Sequence, residues 1–251
     1  MTPAGEVPEF PGAVGLSELN VYPWQTADDL HGGSPHLHTT CSEAYVVVGG
    51  RGELHTLTAA GYDEHPLAVG DVVWFTPGTI HRAVNVEDLR VVVVMQNSGL
   101  PEAGDAVMTF PPEHLRDAET YRRAASVLGP DGSPSPERAR ARRDLAVEGF
   151  TEILRRTREG DGTALAEFHA AAAAIVRPST GRFRERWLAG AADVARRTGE
   201  QIDALERGDG SHLATGTVTR LERPDPTALG MCGFLAPYDA ARAAARTAAG
   251  G

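Results

Sequence analysis

Three histidines and one glutamate have the residue types and the spacing of a metal site. His36 and His38 are two positions apart, and residues two apart on an extended strand point to the same side. Glu43 follows a short polar turn, and His81 comes after a turn rich in proline and glycine. We therefore predict that these side chains converge on one metal ion.

The expected ligand set, three imidazoles and one carboxylate, suits several divalent transition metals. Fe(II) is our first choice, and Mn(II), Ni(II), Cu(II) and Zn(II) stay open because ligand softness and charge do not choose among them. Such a set leaves coordination positions for water or substrate. The expected cofactor is therefore a single divalent transition metal ion.

Extended runs that could position these ligands fill residues 16–97, separated by glycine, proline and aspartate. This pattern predicts antiparallel strands, and the continuous valine run at residues 91–94 indicates a strand covered on both faces. A closed barrel or a tight sandwich fits best. The predicted strands span residues 19–24, 44–48, 52–57, 72–75, 81–86 and 89–96.

After Pro101 the sequence changes character, because alanine and arginine become frequent and apolar residues move to helical spacing. We predict a division between a barrel at residues 1–100 and a mostly helical region at 101–251, which packs on the barrel or on a partner subunit. The predicted helices span residues 112–128, 137–158, 163–176, 182–207 and 239–247, with an extended segment at 215–221.

Around the predicted ligands the sequence resembles the cupin superfamily, whose first motif is G-x5-H-x-H-x3,4-E-x6-G and whose second is G-x5-P-x-G-x2-H-x3-N. The candidate ligands match in register, and both departures lie in turns: Leu30 replaces the leading glycine and Thr76 replaces the usual proline. The other matching positions are Gly50, Gly70, Gly78 and Asn85. The resemblance implies an antiparallel jelly-roll β-barrel of the cupin type, followed here by the α-helical region.

The resemblance covers about the first hundred residues and does not choose a reaction. Cupins include dioxygenases, sugar and sugar-phosphate isomerases, epimerases, decarboxylases, lyases and proteins that only bind. Because cupins commonly pair, the resemblance also implies a homodimer.

Several residues near the ligands are candidates for the wall of a substrate pocket. Tyr45, two residues beyond Glu43, is the expected proton donor, and His55 is a candidate base if it faces the cavity. Arg82 could hold a carboxylate or phosphate, or could be an ordinary surface charge. The remaining pocket candidates, each of which could instead be barrel core, are Trp24, Trp74 and Phe75.

Composition excludes several other functions. The net charge of −10 and the absence of an arginine-rich run paired with aromatic residues argue against a nucleic-acid partner. Lysine is absent, so Schiff-base chemistry and the phosphate-binding P-loop are excluded. No apolar run approaches the roughly 20 residues of a membrane helix, and no secretory signal is apparent. We expect a cytoplasmic protein with a small-molecule partner.

The leading hypothesis is a mononuclear metalloenzyme that acts on a small organic substrate, with oxygenase chemistry slightly favoured by the apolar pocket wall. The first alternative is isomerisation or epimerisation of a sugar-like compound, in which the metal acts as a Lewis acid. The second is a cupin that binds or senses a small ligand without turnover.

Overall fold

The computed structural model describes residues 10–238, and the strands of this part of the chain form one antiparallel sheet system. They are β1 (Gly15–Val21), β2 (His36–His38), β3 (Glu43–Thr58), β4 (Gly61–Ala68), β5 (Val72–Phe75), β6 (Ile80–Met95), β7 (Ala106–Met108), β8 (Ala228–Leu229) and β9 (Gly233–Pro237). The helices are α1 (Ala118–Ala125), α2 (Pro136–Arg158), α3 (Ala164–Val176), α4 (Thr180–Ala189) and α5 (Ala191–Glu206).

Two long strands, β3 and β6, pair along most of their length and are shared by both halves of the barrel. The first half of β3 also pairs with β5, and its second half pairs with β4. On the other side, β6 pairs with β1 near its end and with β2 near its start. Because both strands pass from one half-sheet to the other, the sheet curls into a jelly-roll barrel.

The bend in β3 lies between Val47 and Gly52, where the register with β6 shifts repeatedly. Gly50 has a φ of 65°, and a Cβ atom there would lie 2.1 Å from the carbonyl oxygen of Glu87. Only glycine fits this conformation and this close approach. The bulges bend the strand and also change which side chains face the barrel interior.

The helical region covers the outer face of the half-sheet that contains β4. Phe150 of α2 approaches the ring of Tyr62, and His169 of α3 contacts the carbonyl oxygen of Gly78 at 2.9 Å. Leu57 and Ile80, which share that outer face, are fully buried. The helical region therefore buries part of the outer face of this half-sheet.

The sheet does not end at residue 100, because β7 pairs with β2 and β9 pairs with β1. Strand β4 was not predicted, since this edge strand carries polar residues on both faces and reads as a loop. The segment at 215–221, predicted to be extended, begins at the end of a 3₁₀ turn and continues without strand pairing.

The predicted helix at 182–207 is in fact two helices, α4 and α5, separated at Gly190. The backbone there leaves helical geometry, with φ −106° and ψ −102°. The predicted helix at 112–128 shortens to α1, which the side chain of Asp117 caps. The predicted helix at 239–247 lies outside the described residues. Among the helices of residues 10–238, none has the length and apolar character needed to span a membrane.

Candidate metal centre

The four predicted ligands come together inside the barrel. One potential ligand atom from each of His36, His38, Glu43 and His81 lies within 4.8 Å of every other. The strands explain this convergence: β2 carries two of the histidines on the same side, and His36 is the cross-strand partner of His81. All four residues are buried. The residues form a compact interior cluster of three nitrogen donors and one oxygen donor.

Hydrogen bonds to main-chain carbonyls orient two of the imidazoles. Nδ1 of His36 lies 2.9 Å from the carbonyl oxygen of Ser34, and Nδ1 of His81 lies 3.1 Å from that of Thr79. A carbonyl oxygen only accepts, so each Nδ1 must carry the donated proton. The lone pair of each neutral ring therefore lies on Nε2, the atom available to a metal.

The third imidazole is oriented by a carboxylate that the sequence analysis missed. Nδ1 of His38 lies 3.0 Å from Oδ2 of Asp105, at the end of the π-helical turn Pro101–Asp105. Asp105 is fully buried. No local pattern marks it, because it meets His38 only through the pairing of β7 with β2.

The oxygen donor of the cluster faces nitrogen atoms at close range. Oε2 of Glu43 lies 3.1 Å from Nε2 of His38 and 3.1 Å from Nε2 of His81. Buried Oε2 of Glu43 and Nε2 of His81 have no hydrogen-bond partner of acceptable geometry. Unpartnered buried polar atoms are costly, and a cation among these atoms would satisfy them. The residues therefore fit a divalent metal ion.

The electrostatics of His36 and Glu43 also suit a cation. Burial, together with the neighbouring imidazoles, lowers the pKa of His36 well below its ordinary value, which keeps that ring neutral. Burial also opposes ionisation of Glu43, but the nearby imidazoles of His38 and His81 outweigh it and hold the pKa of this carboxyl well below its ordinary range. A neutral imidazole and an ionised carboxylate are the forms that bind metal.

Tyr45 and Phe75 lie beside the cluster, as predicted from the sequence. Phe75 places its ring centroid 4.1 Å from that of His81, and Tyr45 meets Phe75 edge-on at 5.4 Å. Cys232, which the sequence analysis did not select, arrives just before β9; its Sγ atom lies 4.0 Å from the hydroxyl of Tyr45 and 4.0 Å from Nδ1 of His36. The wall near the ligands therefore combines an aromatic ring, a phenol and a thiol.

His55 and Arg82 lie on the outer face of the barrel, so neither lines the cavity. They are cross-strand partners of each other, and Arg82 follows the inward-facing His81 directly along β6. Counting alternate residues from Tyr45 would place His55 inside, but the bulges of β3 reverse that alternation. His55 is bonded to Glu53 at 2.8 Å, and Arg82 forms an ion pair with Asp28 at 2.5 Å.

The two tryptophans also lie away from the cluster. Trp74 is the cross-strand partner of Ala44, on the side opposite Glu43 and Phe75, and is 72% exposed. Trp24 stacks on Tyr22 at 4.0 Å, with the guanidinium of Arg140 4.5 Å from its ring centroid. Both predicted pocket positions are therefore wrong: Trp74 faces outward, and Trp24 packs beneath α2.

One cross-strand row leads from the cluster to the edge of the sheet. Cross-strand partners share a face, and the row runs from His36 through His81 and Thr56 to Asp63 of the edge strand β4. Nε2 of His65 lies 3.2 Å from the hydroxyl of Thr56, and His65 is partly exposed. These polar groups mark the open edge of the inner face.

Taken together, the jelly-roll barrel and its buried cluster of histidines and glutamate define a protein of the cupin class. The family model described as "Cupin domain" matches residues 29–95, which include all four clustered residues. The chain therefore contains a cupin domain. No curated protein matches the chain.

Three solved structures similar to this chain cover between 32% and 39% of it. A conserved Klebsiella pneumoniae protein with a double-stranded β-helix domain is 22% identical, over 34% of this chain and 70% of that chain, with a TM-score of 0.28. The Streptomyces nucleoside dehydratase Pac13 is 14% identical, over 39% and 70%, with a TM-score of 0.31. A predicted oxalate decarboxylase from Thermotoga maritima is 20% identical, over 32% and 64%, with a TM-score of 0.27.

Proposed function

We propose that the cupin domain binds one divalent transition metal ion through His36, His38, Glu43 and His81. We further propose that the protein is a metalloenzyme for a small organic substrate, with oxygenase chemistry as the leading form and Fe(II) as the leading metal. The homodimer and the small-molecule partner stay predictions.

One observation carries this proposal: acceptors bond to Nδ1 of each imidazole and leave Nε2 free, and Nε2 of His38 and of His81 each lie 3.1 Å from Oε2 of Glu43. An ordinary buried histidine uses both ring nitrogens in hydrogen bonds. Here Nε2 of His81 has no such partner. When bound, a divalent metal would polarise substrate oxygen atoms and, if it is iron, would support redox chemistry with dioxygen.

Tyr45 is the group best placed to interact with a substrate beside the ligands. It is fully buried, and burial, reinforced by the nearby Cys232 and Glu43, raises its pKa well above the ordinary value. The phenol therefore keeps its proton near neutral pH and acts as a hydrogen-bond or proton donor. Burial likewise raises the pKa of Cys232 to about 12, so this thiol is not a base at neutral pH.

The apolar contacts near the ligands favour a partly apolar substrate. Phe75 covers one side of His81, and the inward-facing Val91 and Val93 of β6 are buried. Apolar side chains beside the ligands would help to exclude water and protect reactive species from side reactions. Because Tyr45 and Cys232 both stay protonated and so offer no base, this environment supports oxygenase chemistry over removal of a proton from the substrate.

His65 is the observation that supports the isomerase alternative. Its imidazole contacts Thr56, in the row that leads to His81, and its partial exposure gives it contact with solvent. A base at this position could remove a proton from a substrate that enters over β4. If the protein is an isomerase, His65 is therefore the residue on which proton transfer depends.

The test begins with metal analysis of protein purified without chelators and loaded with Fe(II), compared with the His81→Ala variant. Oxygen uptake is then followed with pooled small metabolites. We expect one bound metal per chain and oxygen consumption by the wild type alone. Failure of the wild type to bind any divalent metal would overturn the proposal.

The same assay separates the alternatives. Conversion that continues without oxygen and is lost in His65→Gln would identify the isomerase. Ligand binding that produces no product with any of the five metals would identify a cupin that only binds.

A further inference from the structure

Asp105 is a buried carboxylate outside the segment that matches the cupin family, and it contacts the loop that carries the metal ligands. Its Oδ2 atom accepts from Nδ1 of His38 at 3.0 Å. Its Oδ1 atom accepts from the main-chain N–H groups of Thr39 and Thr40, at 3.1 and 2.7 Å. The hydroxyls of the same two threonines lie 2.6 and 2.7 Å from Oδ1. One carboxylate therefore holds both the ligand and the loop that leads to Glu43.

We propose that Asp105 is the positioning residue of the metal centre. It holds the proton of His38 on Nδ1 and so directs the Nε2 lone pair at the ion. This inference rests on the proposed metal site. If Asp105 has this role, metal binding by the two barrel motifs also requires the turn before β7, which lies after those motifs in the sequence.

The two oxygens of Asp105 have separate tasks, and this separation makes the inference testable. Oδ1 must accept, because two main-chain N–H groups point at it. In Asp105→Asn the amide oxygen therefore stays on the loop, and the amide nitrogen faces His38. Since that nitrogen only donates, Nδ1 of His38 must accept, and the proton of the neutral ring moves to Nε2. The loop stays anchored while the metal-binding lone pair is lost.

A purely structural role predicts a different result. If Asp105 only anchored the loop, removing any of its loop bonds would weaken metal binding in proportion to the loss of stability. Thr40→Val removes one hydroxyl bond to Oδ1 at an exposed position and leaves His38 bonded. It is therefore the matched control for Asp105→Asn.

The experiment measures Zn(II) affinity of the full chain by competition with a chromophoric chelator, and thermal unfolding of each metal-free variant. We expect Asp105→Asn to weaken Zn(II) binding by about 10- to 100-fold, the usual loss when such a partner is removed. Thr40→Val should bind like the wild type, and Asp105→Glu should recover part of the affinity.

Two results would overturn the inference: wild-type affinity in Asp105→Asn, or equal losses in Asp105→Asn and Thr40→Val. If the wild type itself fails to bind Zn(II), the proposed metal site fails first, and the inference fails with it.

A second measurement needs no variant. In Zn(II)-loaded wild type, ¹⁵N NMR of the His38 ring should show a proton on Nδ1 and a metal-bonded Nε2. A proton on Nε2 would overturn the assignment even if Asp105→Asn does not fold.

Discussion

The barrel carries two clusters of histidine and carboxylate on opposite faces of its sheet, and β3 contributes to both. The inner cluster holds the four proposed ligands, and the outer cluster holds Glu53, His55 and Glu64. In both, potential ligand atoms lie within 4.8 Å of one another. Proximity therefore does not separate them.

The difference lies in the hydrogen bonds. In the outer cluster Nε2 of His55 lies 2.8 Å from Glu53, and Nδ1 lies 2.8 Å from the hydroxyl of Tyr62. That hydroxyl donates its one proton to Glu64 at 2.7 Å, so it accepts from Nδ1 of His55. These groups satisfy one another, whereas the inner cluster leaves atoms of Glu43 and His81 without partners. A metal site therefore differs from a structural cluster because its lone pairs lack hydrogen-bond partners and point to one place. We assign a structural role to the outer cluster.

The largest expected effect concerns the outer face. Arg82 is buried, and its guanidinium bonds to Asp28 and Thr26. Arg82→Ala should lower the free energy of unfolding by about 3 kcal/mol, because it leaves a partly buried charge unpaired. Urea unfolding measures this loss. Metal content should stay at the wild-type level, and a loss of metal in folded Arg82→Ala would break the distinction between the two faces.

The next effect compares metal-dependent stabilisation. Zn(II) at 100 times its dissociation constant should raise the free energy of unfolding of the wild type by about 2.7 kcal/mol. His55→Gln, an outer-face variant, should show the same increment in thermal unfolding, and His81→Gln should lose most of it. Equal Zn(II)-dependent stabilisation of the two variants would contradict the assignment of the metal site to the inner cluster.

A smaller effect is expected for metal affinity in a single-ligand variant. His81→Ala or His38→Ala should lower affinity by at least about tenfold, or about 1.4 kcal/mol, because one ligand of the set is lost. His55→Ala is the control, and its affinity should equal that of the wild type. Full metal occupancy in His81→Ala would remove His81 from the ligand set.

The smallest effect concerns Glu18, an acid outside both clusters whose arginine partner, Arg223, is mostly exposed. A hydrogen bond from Arg223 lowers the pKa of Glu18 below its ordinary value of 4.5. The bond therefore adds stability above pH 4.5, and this contribution is lost as the pH falls through the lower folded-state pKa. Glu18→Gln should cost at most about 1 kcal/mol at neutral pH. The free energy of unfolding of the wild type and of Glu18→Gln, measured as a function of pH, checks this expectation. A loss larger than about 1 kcal/mol would contradict the view that an ion pair with an exposed arginine contributes little.

Local patterns were sufficient to predict which four residues cluster inside the barrel. The spacing of His36 and His38 depends only on strand alternation, and the turn before His81 depends on Pro77 and Gly78. The cores of α2 and α3 were predicted for the same reason, since helical periodicity is also local. In each case the deciding interactions lie within a few residues along the chain.

The sequence by itself thus determined the barrel motifs, the candidate ligands and the main helices. Only the tertiary structure decided which face each strand residue presents, because the bulges between Val47 and Gly52 reverse the alternation and turn His55 outward. It also decided which distant residues reach the ligands: Asp105 arrives through the pairing of β7, and Cys232 arrives just before β9. Contacts of such long sequence separation depend on how the whole chain packs, so no local pattern encodes them.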